Sequence, residues 1–258
     1  MKHSLLAVAA LLFPLTAQAQ VFEVIHPDVE EGGFEFEVIN TVIADGIAVG
    51  EERSVHEIAI GYAPVSFWKT TIAFEVATVR GNGSVLEAFE WENVFLFPLS
   101  DHDHDHDHGG SFGLEAIGIY AAVEVPREGG ISAGGFAFGP VAELALGPVH
   151  SVANLFVEIP QSDGEDPGLA YALSASVPVF ETGSAEFEAG FEAHGGVEGL
   201  FGSNTTPLGQ SSHVLGPAFY AGFDVGEGQE IEPRLAVLFG LTDGSPDAAI
   251  SFNIEFKY

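Results

Sequence analysis

The residues with the most specific chemistry stand together in one tract, Asp101-His102-Asp103-His104-Asp105-His106-Asp107-His108. Imidazole is the preferred ligand for Zn, Ni and Cu, and Asp adds oxygen ligation or orients the ring from behind. In an extended chain, residues two apart share a face, so the four histidines would project together at about 6.6 to 6.8 Å spacing. Gly109 and Gly110 leave the tract free to wrap an ion. The expected site is flexible and of moderate affinity for Zn, Ni or Cu, weakening below about pH 6 as the imidazoles protonate. The plainer reading is a solvated low-complexity loop or a pH-sensitive charge cluster with no cognate metal. Neither reading requires a cofactor.

Carboxylates are the next chemical resource. Asp and Glu number 38 against 7 Lys and Arg, giving a formal charge of -31. A nucleic-acid partner is excluded, because phosphate binding needs clustered cations that this chain lacks. Yet 47% of residues are hydrophobic and 22 are Phe, too apolar for an acidic disordered chain. With no cysteine there is no disulfide, thiolate metal site or cysteine nucleophile. Serine and histidine pairs give no nucleophile and base: His150 and Ser151 fall on opposite faces of a strand, and Ser211 and His213 lie in a turn-rich loop. His26, His56 and His194 read as isolated, with His194 at a rim beside Gly195 and Gly196. No catalytic residue is assigned, and the chain is not expected to be an enzyme.

The elements that must position these groups follow from the periodicity. Met1 to Ala19 has a charged start at Lys2, an apolar run from Leu5 to Leu15 and a small-x-small ending, which reads as a signal peptide for Sec-type export. Residues 20–258 then form one domain. From Gly33 onward apolar residues recur at every second position, the period of a β-strand. Twelve segments are counted, near residues 33–40, 54–63, 67–79, 84–97, 113–125, 132–146, 149–159, 169–180, 184–194, 213–225, 230–241 and 247–258. Their length suits a tilted bilayer span rather than a soluble sandwich, their second face is rich in Gly, Ala and Ser, and the chain ends on Tyr258 within an alternating strand. The expected fold is all-β: a transmembrane antiparallel β-barrel of about 12 strands, of the bacterial outer-membrane type, in contact with outer-membrane lipid.

With aromatic and branched faces toward lipid, Glu35, Glu37, Glu75, Glu90, Glu92, Glu124, Glu143, Glu158, Glu186, Glu188, Glu192, Asp224 and Glu255 point inward. Only Lys69, Arg234 and Lys257 are placed inward as cations. Rings of carboxylates raise the local cation concentration and exclude anions. The expected function is therefore passage of small solutes, chiefly cations, through a narrow, wet, acidic lumen. With both termini periplasmic, this strand count puts the 98–112 loop carrying the His-Asp tract on the periplasmic side, an unusual place for a long connection.

The stretch Gly240-Leu241-Thr242-Asp243-Gly244-Ser245-Pro246-Asp247, followed by Ala248 to Tyr258, resembles the outer-membrane transporter-like family labelled phenol-degradation (meta-pathway) proteins. The patterns Tyr120 to Pro126 and Asn154 to Pro160 are similar to strands of that family that end in proline at a turn. The resemblance implies a barrel and passage of solutes, and it transfers no catalytic residues. Two other functions stay open on sequence: a transporter of small hydrophobic or aromatic compounds, and a non-transporting envelope barrel that binds metal. A lipid-modifying enzyme would require a serine and a histidine in contact on the lipid face.

Overall fold

The structure is a computed structural model and describes residues 22–44, 53–79, 83–99, 112–127, 134–162, 164–202 and 205–258. Alternation of apolar and small or polar residues produces twelve strands: β1 Phe34–Ala44, β2 Arg53–Val65, β3 Trp68–Val79, β4 Gly83–Leu96, β5 Phe112–Pro126, β6 Gly135–Leu146, β7 Val149–Pro160, β8 Gly168–Thr182, β9 Ala185–Val197, β10 His213–Gly226, β11 Gln229–Gly240 and β12 Ala248–Lys257. Each pairs antiparallel with its sequence neighbours, and β1 closes on β12, for example Glu35 opposite Lys257 and Val42 opposite Ile250. Closure leaves no sheet edge, which a lipid-embedded backbone cannot tolerate.

The outer surface is apolar. Ile58, Ile60, Ile72, Phe74, Trp91, Phe219, Leu235 and Ile250 are all exposed on it. Where an indole must sit among them, its N–H is satisfied across the strands: Trp91 Nε1 donates to Thr70 Oγ1 at 2.8 Å and Trp68 Nε1 to Asn93 Oδ1 at 3.0 Å. Phe34, Tyr62, Phe67, Phe95, Phe97, Phe256 and Tyr258 gather at one end as an aromatic girdle, the end that also carries the turns between β2 and β3, β6 and β7, β8 and β9, and β10 and β11. Short turns mark the periplasmic end of bacterial barrels. The connection between β4 and β5 leaves from this same end. The His-Asp tract within it, residues 101–108, lies outside the described residues.

Backbone contacts across the wall are close. A Cβ on Gly139 would lie 1.9 Å from the Leu155 carbonyl oxygen, so only glycine fits there, one residue before Pro140 interrupts the ladder between β6 and β7. Among the register irregularities of the described strands, two bear on the inward-facing carboxylates. One, between Leu114 and Ala116 of β5, changes the register against β6, and the other, between Leu86 and Ala88 of β4, changes it against β3.

Residues 22–33 are not a free leader. They run from the base of β1 up through the lumen and cross it. Phe22, 1% exposed, packs on Ile43, Val214, Ala218, Ala236, Leu238 and Ala249 near the far ends of β1, β10 and β11 and the start of β12. Ten extended residues reach about 33 Å, enough to traverse most of a bilayer core.

Candidate functional site

The lumen is built from the inward face of every strand, and the N-terminal segment divides it. That segment is held by named contacts. Asn154 of β7 accepts the Ile25 N–H and donates to the Ile25 carbonyl, each at 2.8 Å. The Ser251 hydroxyl donates to the Phe22 carbonyl at 3.3 Å, and Phe22 meets His194 edge-on with ring centroids 5.4 Å apart. Lower down, Lys257 pairs with Asp28 at 3.1 Å.

Beyond the segment, toward the long-loop end, is a cavity of about 220 Å³. Seven carboxylates line it: Glu23 of the segment with Glu57, Glu75, Glu90, Glu92, Glu124 and Glu158. Among the described residues, no Lys or Arg lines it. Tyr120 donates to Glu92 at 2.7 Å and lies 3.3 Å from Glu90, fixing two of these groups on one wall. Phe22, Ile25 and Phe156 add apolar lining, Phe156 lying against Tyr120 with ring centroids 4.8 Å apart.

Toward the short-turn end the cavity is about 680 Å³. Of the carboxylates expected to face inward, Glu35, Glu37, Glu143, Glu186, Glu188 and Glu255 line it, joined by Glu92 from the other cavity. The cations sit here too, each committed to carboxylates. Lys69 pairs with Glu35 at 2.8 Å, and Lys257 lies 3.0 Å from Glu232 and 3.8 Å from Glu255. Arg234 holds Glu192 through two guanidinium N–H groups. Tyr220 also donates to Glu192, at 2.7 Å, and the His194 ring is 3.1 Å away. Glu192, at 1% exposure, is thus a wall anchor and not part of a solute path. Asp224 is exposed at the end of β10 and accepts the Gly226 N–H at 2.8 Å, a turn contact.

Two expectations about histidines are corrected. His194 is not a rim residue: it is 4% exposed, buried beneath Phe22 beside Glu192. His56 is not isolated: on the outer face of β2 it contacts Ser54 at 3.1 Å and Asn40 of β1 at 2.7 Å.

Sequence reasoning left several functional groups unassigned. Glu57 follows the same alternation as Val55 and Ala59 and was recoverable from it. Glu115 was not, because the β5 bulge breaks the period just where it faces the larger cavity. Its carboxylate, that of Glu143 and the His150 imidazole bring ligand atoms within 4.8 Å of one another, with His150 Nε2 and Glu143 Oε1 at 2.6 Å. His26 of the N-terminal segment lies over His150 at a centroid distance of 6.3 Å. Glu115, Glu143 and His150 are the donor types that a transition-metal ion takes.

No protein-family model and no curated protein matches the chain in sequence. Among solved structures, an outer membrane channel from Pseudomonas putida F1 superposes with a TM-score of 0.60 at 11% identity, over 91% of this chain and 99% of that one. The NanC porin gives 0.48 at 10% identity over 86% and 98% of the two chains, and the β domain of the Bordetella autotransporter BrkA gives 0.47 at 13% over 88% and 99%. The last two are looser likenesses on which nothing rests. The first, with the ladder closed from β1 to β12, places this chain in the fold of twelve-stranded outer-membrane barrels.

Proposed function

We propose that the protein is an outer-membrane channel for small solutes, selective for cations and gated by its own N-terminal segment. The observation that carries this reading is the smaller cavity, where seven carboxylates face one volume and the described residues of its lining include no Lys or Arg. Such a ring concentrates cations and repels anions on the way to the larger cavity. Residues 22–33 stand across that route, so transport requires them to shift or part. The barrel's apolar belt and girdle support an outer-membrane location reached after export.

The His-Asp tract, with His102, His104, His106 and His108, is proposed to gather Zn, Ni or Cu at the periplasmic mouth. The Glu115, Glu143 and His150 cluster faces the lumen from that same end and would receive such an ion. A second reading, passage of small hydrophobic or aromatic compounds, is favoured by Phe22, Ile25 and Phe156, apolar side chains that share the smaller cavity with the carboxylates. It also agrees with the family that the C-terminal strand resembles.

Planar-bilayer recording of the refolded protein, with and without micromolar zinc, tests the proposal. The expected result is a cation current that zinc reduces, with the effect weakened on deleting residues 101–108 and abolished in that deletion combined with His150→Ala. Current unaffected by Glu90→Gln with Glu92→Gln, together with saturable phenol uptake into loaded vesicles, would support the second reading instead.

A further inference from the structure

On the outer wall, three polar side chains interrupt the apolar belt. Ser54 and His56 are two residues apart on β2, so both point outward, and Asn40 of β1 stands directly opposite His56. The contacts run in one order: Ser54 Oγ to His56 Nε2 at 3.1 Å, then His56 Nδ1 to Asn40 Oδ1 at 2.7 Å. Because an amide oxygen only accepts, the Asn40 contact fixes the proton on Nδ1 and leaves Nε2 to accept from the serine hydroxyl. That is the sequence of nucleophile, base and orienting group that activates a serine.

The position in the membrane fits an acyl ester. Asn40 lies six residues above Phe34 of the girdle on β1, about 15 Å along the barrel axis at ~3.3 Å per residue and ~40° tilt. Ser54, paired with Val42, is about 20 Å up, so it lies just inside the far boundary of an apolar band about 25 Å tall. Lipid ester carbonyls sit near such a boundary. Val42, Ile58, Phe252 and Ile250 are exposed around the group and offer an apolar wall to acyl chains. Thr78, directly across from Ser54 on β3, presents a hydroxyl on the same face that shares a 2.7 Å hydrogen bond with Ser84 Oγ, a hydroxyl pair from which a proton can turn to a developing oxyanion.

We propose that Ser54, His56 and Asn40 form a hydrolytic site for acyl esters of membrane lipids, an activity separate from solute passage. Ser54 Oγ attacks the ester carbonyl carbon while its proton passes to His56 Nε2 and the carbonyl electron pair moves to oxygen. Collapse of the tetrahedral adduct breaks the bond to the alkoxide leaving group, which takes the proton from His56. Water then adds to the acyl-serine, giving its proton to His56, which returns it to Ser54 Oγ as the fatty acid departs. Asn40 touches no reacting atom and acts as a positioning residue.

The test uses the refolded full chain in mixed micelles, with folding verified by heat-modifiable gel migration. A long-chain alkylsulfonyl fluoride should form one covalent adduct that peptide mass spectrometry maps to Ser54. Turnover of phosphatidylethanolamine, of lipid A and of 4-nitrophenyl palmitate separates the lipid sources. Ser54→Ala, a change on the outer face that leaves packing intact, should lower turnover at least about 1,000-fold and abolish the adduct. Asn40→Ala should lower kcat with KM little changed, and Asn40→Asp should recover most of it. A folded wild type that neither forms the adduct nor hydrolyses any of the three esters overturns the proposal. So does turnover that persists in Ser54→Ala, or an adduct that maps to another residue.

Discussion

Unseating the N-terminal segment should open the channel, and the size of the effect follows from its contacts. Phe22 is buried against Val214, Leu238 and their neighbours, and replacing a buried Phe by Ala costs about 3 to 5 kcal/mol. The released segment moves into a wet lumen rather than unfolding the barrel, so the lower figure applies. About 3 kcal/mol shifts the ratio of displaced to seated segment roughly 150-fold. Asn154→Ala removes two 2.8 Å hydrogen bonds to Ile25, about 1 kcal/mol each, for a further shift of roughly 30-fold. Single-channel recording reads both as open probability, with the barrel's folding checked independently. Phe22→Ala should lengthen openings, the double variant should hold the pore nearly always open, and removal of residues 22–31 should give the largest unit conductance. Identical unit conductance and open probability in the truncated and intact proteins would refute the assignment of this segment as the gate.

Three further outcomes are expected. Arg234→Met leaves the buried Glu192 carboxylate without its partner and should lower stability in urea by about 3 to 5 kcal/mol, most of it recovered by adding Glu192→Gln; no loss would mean that Glu192 is hydrated from the lumen. Ile72→Arg puts a cation on the lipid face near mid-span and should cost about 2 to 4 kcal/mol in the same assay, whereas an unchanged midpoint would place this face against protein or water. Replacing His102, His104, His106 and His108 with Ala should lower the zinc stoichiometry measured by calorimetry, and an unchanged isotherm would remove the tract from the account.

The strands were legible because alternation over ten or more residues is a strong signal, and the bounds of β7, for instance, differ from the sequence reading by one residue. The inward set followed from the same parity, which held for Glu90 and Glu92 and failed at Glu115, where a bulge adds a residue that no local pattern announces. The N-terminal segment was illegible for a different reason. Phe22, Val24 and Ile25 have no strand period, and what buries them is the far wall of a barrel closed more than 200 residues later. The contact between His56 and Asn40 depends on the register across β1 and β2, which an eight-residue connection does not set. Composition made the lumen acidic but could not show that its few cations would be consumed by Glu35, Glu192 and Glu232, leaving the smaller cavity with carboxylates and, among the described residues, no Lys or Arg in its lining.

The most direct test of the central claim is the reversal potential of the refolded protein across a tenfold KCl gradient at neutral pH. A potential displaced toward the potassium equilibrium value, and moved toward zero by Glu90→Gln with Glu92→Gln, is the result the proposed function predicts. A potential at zero or displaced toward chloride would contradict a cation-selective lumen.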